Sequence, residues 1–281
     1  MSVFVVGSLH LDVVLNAPHL PGLDETVTGH DVAYVFGGKG GNQALAAAKM
    51  GAEVAFAGRV GADGFGATLR ETLTASGIDI TQLQHDPGPS GMSAAIVDAQ
   101  GGYGAVIVSA ANLNIAAEEI VLPPQTRIVL LQNEIPEAVN LAVAQQARAM
   151  GAQVWLNAAP AREVSAALMD ALDLLIVNRV EAAFYAGKTD GTDTLTTLGA
   201  DGVLYRGKAH AGVPVEVVST HGAGDMFVGA LAAKVARGTS LVDALPFAQA
   251  AAALHVASDL QARAGLTHAA VTAFLIDHTS R

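Results

Sequence analysis

An α/β fold is predicted: a doubly wound, mostly parallel sheet flanked by helices, with a small β-sheet lid. Three observations predict it. Apolar strand-like runs alternate with helical stretches along most of the 281 residues. Several of those runs are continuously apolar, as expected of strands covered on both faces. Two pairs of strand-like segments fall outside the alternation and suit a separate small sheet. The chain is read as one domain over residues 1–281, with lid segments at about 11–36 and 91–109.

The candidate strands of the main sheet are residues 3–6, 53–57, 127–132, 153–157, 172–177, 194–198 and 203–206. One intervening helix is expected from Asn42 to Met50, stopping at Gly51. Another begins at Pro136 and stops before Gly151, following the Pro-first, Gly-after asymmetry of helix ends. Alternating β and α units argue for a mostly parallel sheet with helices on both faces. The lid strands are 11–16 and 26–35, then 92–98 and 103–109 around the hairpin signal Gln100-Gly101-Gly102. From Gly224 onward the chain is Ala-rich and helical.

Composition narrows the function. Hydrophobic residues make up 51% and charged residues 15%, which supplies a large core. No apolar run reaches the roughly 18 residues of a membrane span. The start meets Gly7 directly after a short apolar run with no basic segment ahead of it, which reads as a strand and points to a cytoplasmic protein. With no cysteine, disulfides, thiolate nucleophiles and cysteine-held metal centres are excluded. The net charge of −11 and the lack of any basic block argue against nucleic-acid binding. The nine histidines show no ligand spacing for a transition metal.

Two glycine-rich stretches carry the chemistry. In Ser219-Thr220-His221-Gly222-Ala223-Gly224-Asp225, small residues bring backbone N–H groups together at a helix start. A carboxylate there could take a proton from an alcohol while the amides stabilise a transferring phosphoryl group. Taken alone, the same stretch also suits a plain turn with a capping Asp. In Phe36-Gly37-Gly38-Lys39-Gly40-Gly41-Asn42, the glycines permit close backbone approach and Asn42 offers both donor and acceptor, which suits a polyhydroxylated ligand or, equally, a turn with an Asn cap. This second stretch is neither a Walker A loop nor a dinucleotide fingerprint. Asp12, Glu134, Asn178 and Glu181 stand just beyond strand ends, where open α/β sheets bind ligands. Residues 58–66 are read as a loop before a helix, with a structural role.

Together these motifs resemble the ribokinase branch of the PfkB carbohydrate kinase family. Gly7-Ser8-Leu9-His10-Leu11-Asp12 looks like its opening sugar-binding segment, and Gly37-Gly38-Lys39-Gly40-Gly41-Asn42 matches its first signature. Residues 58–66 match the continuation of that signature. Asn157-Ala158-Ala159-Pro160 and Asn178-Arg179-Val180-Glu181 are similar to its N-P-A-P and N-x-x-E motifs. Thr197-Leu198-Gly199-Ala200-Asp201-Gly202 looks like its nucleotide loop, and Gly222-Ala223-Gly224-Asp225 fits its second signature.

The resemblance implies a kinase that moves the γ-phosphoryl group of ATP, with Mg²⁺, to a primary hydroxyl of ribose or a related pentose. Asp225 would be the base, and Gly222, Ala223 and Gly224 the anion hole. His10, Asp12, Gly38, Lys39, Asn42 and Glu134 would hold the sugar, Lys39 chiefly through its backbone. Asn178, Thr197, Gly199, Gly202 and Gln249 would line the nucleotide site, with Glu181 supporting Mg²⁺ indirectly. The lid implies a homodimer.

Four features depart from the family pattern. His10 stands where ribokinases usually carry Asn, and Gln249 where many have His. Ser219-Thr220 replaces the Asp-Thr of potassium-activated members, and residues 258–266 do not follow the second half of that cation site, which argues against activation by K⁺. Residues 185–194 are short where the family has a further helix. The alternatives are a nucleoside or ketohexose kinase of the same family, or a non-catalytic sugar or nucleotide sensor. A dinucleotide-dependent oxidoreductase is disfavoured by the missing fingerprint.

Overall fold

In the computed structural model, Val3 and Val5 pack into one hydrophobic cluster while Phe4 and Val6 pack into another. Successive strand residues point to opposite faces, so this first strand is covered on both sides. The structure describes residues 2–100, 102–189 and 191–279. Met1 of the opening run and Gly101 of the hairpin signal lie outside the described residues.

The first elements are β1 (Val3–Val6), β2 (His10–Ala17), β3 (Asp31–Gly37), α1 (Lys39–Lys49), β4 (Val54–Gly61), α2 (Gly64–Ala75) and β5 (Asp79–Asp86). Then come β6 (Met92–Asp98), β7 (Tyr103–Val108), β8 (Ile128–Gln132), α3 (Glu137–Ala149), β9 (Gln153–Asn157), α4 (Ala166–Met169) and β10 (Leu174–Asn178). The chain continues through α5 (Arg179–Phe184), β11 (Thr194–Thr197), β12 (Val203–Tyr205) and β13 (Lys208–His210). It closes with α6 (Ala223–Ala236), α7 (Leu241–Val256), α8 (Leu260–Ala264) and α9 (His268–Thr279).

Among the described residues the main sheet runs β13-β12-β11-β10-β9-β8-β1-β4-β5. Every pairing from β11 to β5 is parallel, and only β12 and β13 turn back antiparallel. The chain leaves β1 toward β4 on one side and later returns to β8 on the other. That reversal opens a crevice at the carboxyl ends of β1 and β8.

All seven expected main-sheet strands are present. The structure adds β5 and β13 and corrects residues 58–61, which complete β4 instead of forming a loop. The four lid strands pair as β3-β2-β6-β7, with β2 and β6 parallel and the two outer pairs antiparallel. The expected strand at 26–35 begins later, at Asp31. No helix is present among the described residues between α5 and β11, in line with the short segment read there.

One face of the main sheet packs against α1, α6 and α7, and the other against α3 and α4. Small side chains let α6 lie close on α1: a Cβ on Gly229 would come within 2.5 Å of the Ala46 Cβ. Trp155 and Phe4 are fully buried in the two clusters. Truncating either to Ala would cost about 3–5 kcal/mol. No helix among the described residues is long and apolar enough to cross a membrane.

Candidate active site

The first glycine run is the start of α1 itself. The helix begins at Lys39 with Gly38 as its cap, three residues before the expected start at Asn42. The reason is contact: a Cβ on Gly40 would meet the Gly7 backbone at 2.7 Å, so only glycine lets the helix end sit on the end of β1. First-turn amides have no intrahelical acceptor. Here the Lys39 amide donates to Glu134 Oε2 at 2.8 Å, and the Gly41 amide donates to the Ser8 carbonyl at 3.0 Å. The Ser8 hydroxyl donates to the same Glu134 oxygen. Glu134 thus fastens the start of α1 to the crevice. Asn42, one turn in, is free to direct its side chain elsewhere.

It points at Asp225. Asn42 Nδ2 donates to Asp225 Oδ2 at 3.2 Å, and Gln43 Nε2 donates to Oδ1 at 3.0 Å. Asp225 is buried in the first turn of α6, whose cap, Gly222, has φ 77°. That left-handed conformation is open to glycine at little cost. The Ala223 amide donates to the Thr220 carbonyl at 3.2 Å, while Gly224 and Asp225 belong to the turn whose amides lack intrahelical acceptors. Burial pushes the Asp225 carboxyl up from its usual range, and the field of Glu134 adds to this. Lys39 and the two amide hydrogen bonds pull the other way without cancelling it.

Asp225 looks into a cavity of about 830 Å³ that also meets His10, Asp12, Gly38, Lys39, Asn42 and Glu134. Every residue expected to hold the sugar is therefore brought together with the expected base. The lid sheet supplies one wall. Cross-strand register aligns Val35, Asp12, Ser93 and Ile107 in one row, with Val14 and Ala95 in the next. Asp12 Oδ1 accepts from the Ser93 hydroxyl of its row. His10 is 4% exposed, and its Nε2 has no hydrogen-bond partner. Burial holds its imidazole below the usual pKa, against the raising fields of Glu134 and Asp12. A neutral ring with an unpaired nitrogen is ready to bond a hydroxyl.

The expected nucleotide residues lie outside this cavity. Asn178 and Thr197 are register partners at the carboxyl ends of β10 and β11. Asn178 and Glu181 form a capping box: Asn178 Oδ1 accepts from the Glu181 amide at 2.9 Å, and Glu181 Oε2 accepts from the Asn178 amide at 2.8 Å. Glu181 is buried, which raises its carboxyl above the usual range despite that hydrogen bond and the field of Lys39. The Lys39 charge therefore acts on both Asp225 and Glu181. Gly199 and Gly202 bracket a short 3-10 turn after β11, and Gly202 packs against the backbone of residues 210–212. Gln249 is buried in α7, with its Oε1 unpartnered. Residues 58–66 keep a structural role: Asp63 caps α2 and accepts from the Ser90 amide and hydroxyl.

The chain matches the model of the pfkB family carbohydrate kinases over residues 1–264. It belongs to that family. Among relatives of this carbohydrate kinase, the ribokinase of Haemophilus influenzae is 34% identical over 280 residues, covering 90% of this chain and 91% of the relative. The ribokinase of Bacillus subtilis is also 34% identical, with 92% and 93% covered. Among solved structures, Arabidopsis thaliana ribokinase complexed with ribose and ATP superposes with a TM-score of 0.88 at 28% identity, covering 98% of each chain. Thermotoga maritima ribokinase gives 0.87 at 28% identity, with 98% of this chain and 99% of that one covered. The PfkB resemblance read from the motifs, and the α/β fold with its small second sheet, are thereby established.

Two residues beside Asp225, Gln43 and Gln132, were not singled out from sequence, and Asn157 was noted only as the start of the N-P-A-P-like motif. Gln43 joins Asp225 to Asn157 Oδ1, 3.0 Å from its Nε2, and its Oε1 accepts from Gln132 Nε2 at 2.9 Å. Gln132 ends β8 and Asn157 ends β9. The available signal was polarity out of place: a Gln opening an Ala-rich helix, and amides closing apolar strands.

Proposed function

We propose that the protein phosphorylates ribose or a closely related pentose with ATP, Asp225 removing the proton from the accepting primary hydroxyl. The observation that carries this reading is Asp225 itself: a buried carboxylate, raised toward proton affinity, at the mouth of a helix and open to a hydroxyl-binding cavity. Asp12, Asn42 and His10 would bond the sugar hydroxyls and hold its primary hydroxyl against Asp225. Holding the acceptor in line removes most of the entropic part of the barrier. As the phosphoryl group transfers, the first-turn amides from Gly222 to Gly224 would stabilise its developing charge. The names of the relatives point to ribose and ATP.

Asn178, Thr197, Gly199, Gly202 and Gln249 would contact the nucleotide. The donors present fit Mg²⁺ held mainly by ATP oxygens and water, because no group of three or more His, Asp or Glu able to hold a metal occurs among the described residues. Glu181 would act on that water shell. The bound ion would neutralise charge between the β- and γ-phosphates.

A homodimer through the lid is proposed from its outer face, where Tyr34 is 62% and Val106 66% exposed on one cross-strand row. Soluble monomers seldom leave such a sheet face bare. The place of action we propose is the cytoplasm, where ATP is supplied. A nucleoside acceptor is the second reading, favoured by Tyr103 and Ile107 on the cavity wall, which would suit a base.

The test is ADP release from Mg·ATP across pentoses, ketohexoses and nucleosides. Strong stimulation by ribose supports the proposal. Stimulation only by another acceptor moves the substrate and keeps the mechanism, and ATP binding with no stimulation would make the protein a sensor.

A further inference from the structure

Arg263, buried beside the Gly222 turn, spends its guanidinium entirely on backbone carbonyls. Its Nε donates to the His255 carbonyl at 2.9 Å and the Ser258 carbonyl at 3.0 Å. Its Nη1 donates to the His221 carbonyl at 3.2 Å, and its Nη2 to the Ser219 carbonyl at 2.7 Å. The four oxygens come from two segments, one leading into the Gly222 turn and one leaving α7. Burial pulls the guanidinium below its usual range, and the field of Asp259 opposes this without cancelling it. A permanently charged group held by neutral oxygens alone is unusual, since buried guanidinium groups ordinarily pair with carboxylates.

A ring of carbonyl oxygens is also how proteins replace the water shell of a monovalent cation. We infer that Arg263 is a built-in cation for this kinase: its guanidinium fills a carbonyl cage that would otherwise need a monovalent ion, and it positions the Gly222 turn for phosphoryl transfer. The link to the turn is direct. The His221 carbonyl, bonded to Arg263, belongs to the same peptide unit as the Gly222 amide. In a trans peptide the two groups point oppositely, so fixing the carbonyl fixes the aim of the N–H. His255 Nε2 lies 2.8 Å from the same carbonyl and secures it further. A positive charge on that oxygen also polarises the peptide and strengthens its N–H as a donor. Arg263 is thus a positioning residue, acting through residues 219–222.

The inference rests on the kinase reading above. Wild-type turnover with its best acceptor tests that reading, and the cation dependence tests this one. Turnover is measured at equal ionic strength in choline, sodium and potassium chloride. The wild type is expected to vary by less than about twofold among them, whereas an anion hole that loses one aimed donor typically loses roughly a hundredfold. Arg263→Ala opens the cage and is expected to lose about that much in choline. Potassium or guanidinium chloride is expected to restore at least about tenfold, a shift of 1.4 kcal/mol in the barrier. Arg263→Lys keeps the charge and is expected to stay cation-independent, with turnover between the two.

Strong activation of the wild type by potassium would overturn the inference, whether or not the variants fold. So would full activity of Arg263→Ala in choline, or a loss in that folded variant that neither cation relieves. Lysine behaving like alanine would remove charge as the cause.

Discussion

Gln43 Nε2 stands 3.0 Å from Asp225 Oδ1 and ties that carboxylate to the amide system at the ends of β8 and β9. The proposed base is therefore held by the sheet's own strand ends as well as by its helix. Its protonation also depends on Gln43, because a hydrogen bond to the ionised form favours that form.

Replacing Gln43 by Leu should raise the Asp225 carboxyl further. The acid limb of the kcat profile is expected to move to higher pH, with the deficit shrinking as pH rises. Losing the Gln43 amide also leaves Gln132 Nε2 without its acceptor and Asn157 Oδ1 without its donor, at about 1–3 kcal/mol of stability. A pH–rate series checks the first effect and a denaturation curve the second. An unshifted acid limb would separate Gln43 from the base.

Asp225 should also weaken the fold it serves. Its folded-state pKa lies above the unfolded value, so the native state binds more protons between the two. Stability then falls as pH rises through that window and stays lower above it. Asp225→Asn removes the buried charge and is expected to melt higher than wild type at neutral pH, the gap closing toward about pH 4. Thermal melts from acid to neutral pH check this. A lower Tm for the variant at neutral pH would contradict it.

Asp63 illustrates the opposite sign. Burial pushes its carboxyl up, but hydrogen bonds from Ser90 and the Gly66 amide outweigh this and hold it below the usual range. Its stabilisation is present above the unfolded pKa and lost as pH falls through the folded one. Asp63→Ala should cost about 0.5–2 kcal/mol at neutral pH, the usual range for a lost helix cap. Turnover of the folded variant is expected to be unchanged, since Asp63 lies outside the cavity wall.

Charge on the outer lid face should dissolve the proposed dimer. Val106→Glu places a carboxylate amid Tyr34, Val32 and Val108, all at least 45% exposed. Light scattering is expected to give twice the monomer mass for wild type and the monomer mass for the variant. A wild-type monomer would remove the interface.

Much of this was legible in the sequence because apolar runs such as Val3–Val6 and Gln153–Asn157 have no other use than buried strands. β5 was not: its Asp79–Asp86 sequence is largely polar because it forms the sheet edge, and strand pattern fades where burial is one-sided. The start of α1 was misplaced because Gly40 and Gly41 are poor helix formers, chosen here for contact with β1 and Leu9. Asp225, Asn42 and Asp12 were visible through motif spacing. Gln43, Gln132 and Arg263 were not, because each depends on at least one partner 42 or more residues away in the chain, 182 for Gln43 and Asp225.

Turnover of Asp225→Asn, with sugar and ATP binding followed by calorimetry, tests the central claim most directly. The account expects binding close to wild type and a loss in kcat of about a hundredfold to ten-thousandfold, the usual contribution of a positioned base. Near-normal turnover in that variant would mean that another group takes the proton, and the assignment of Asp225 would fall.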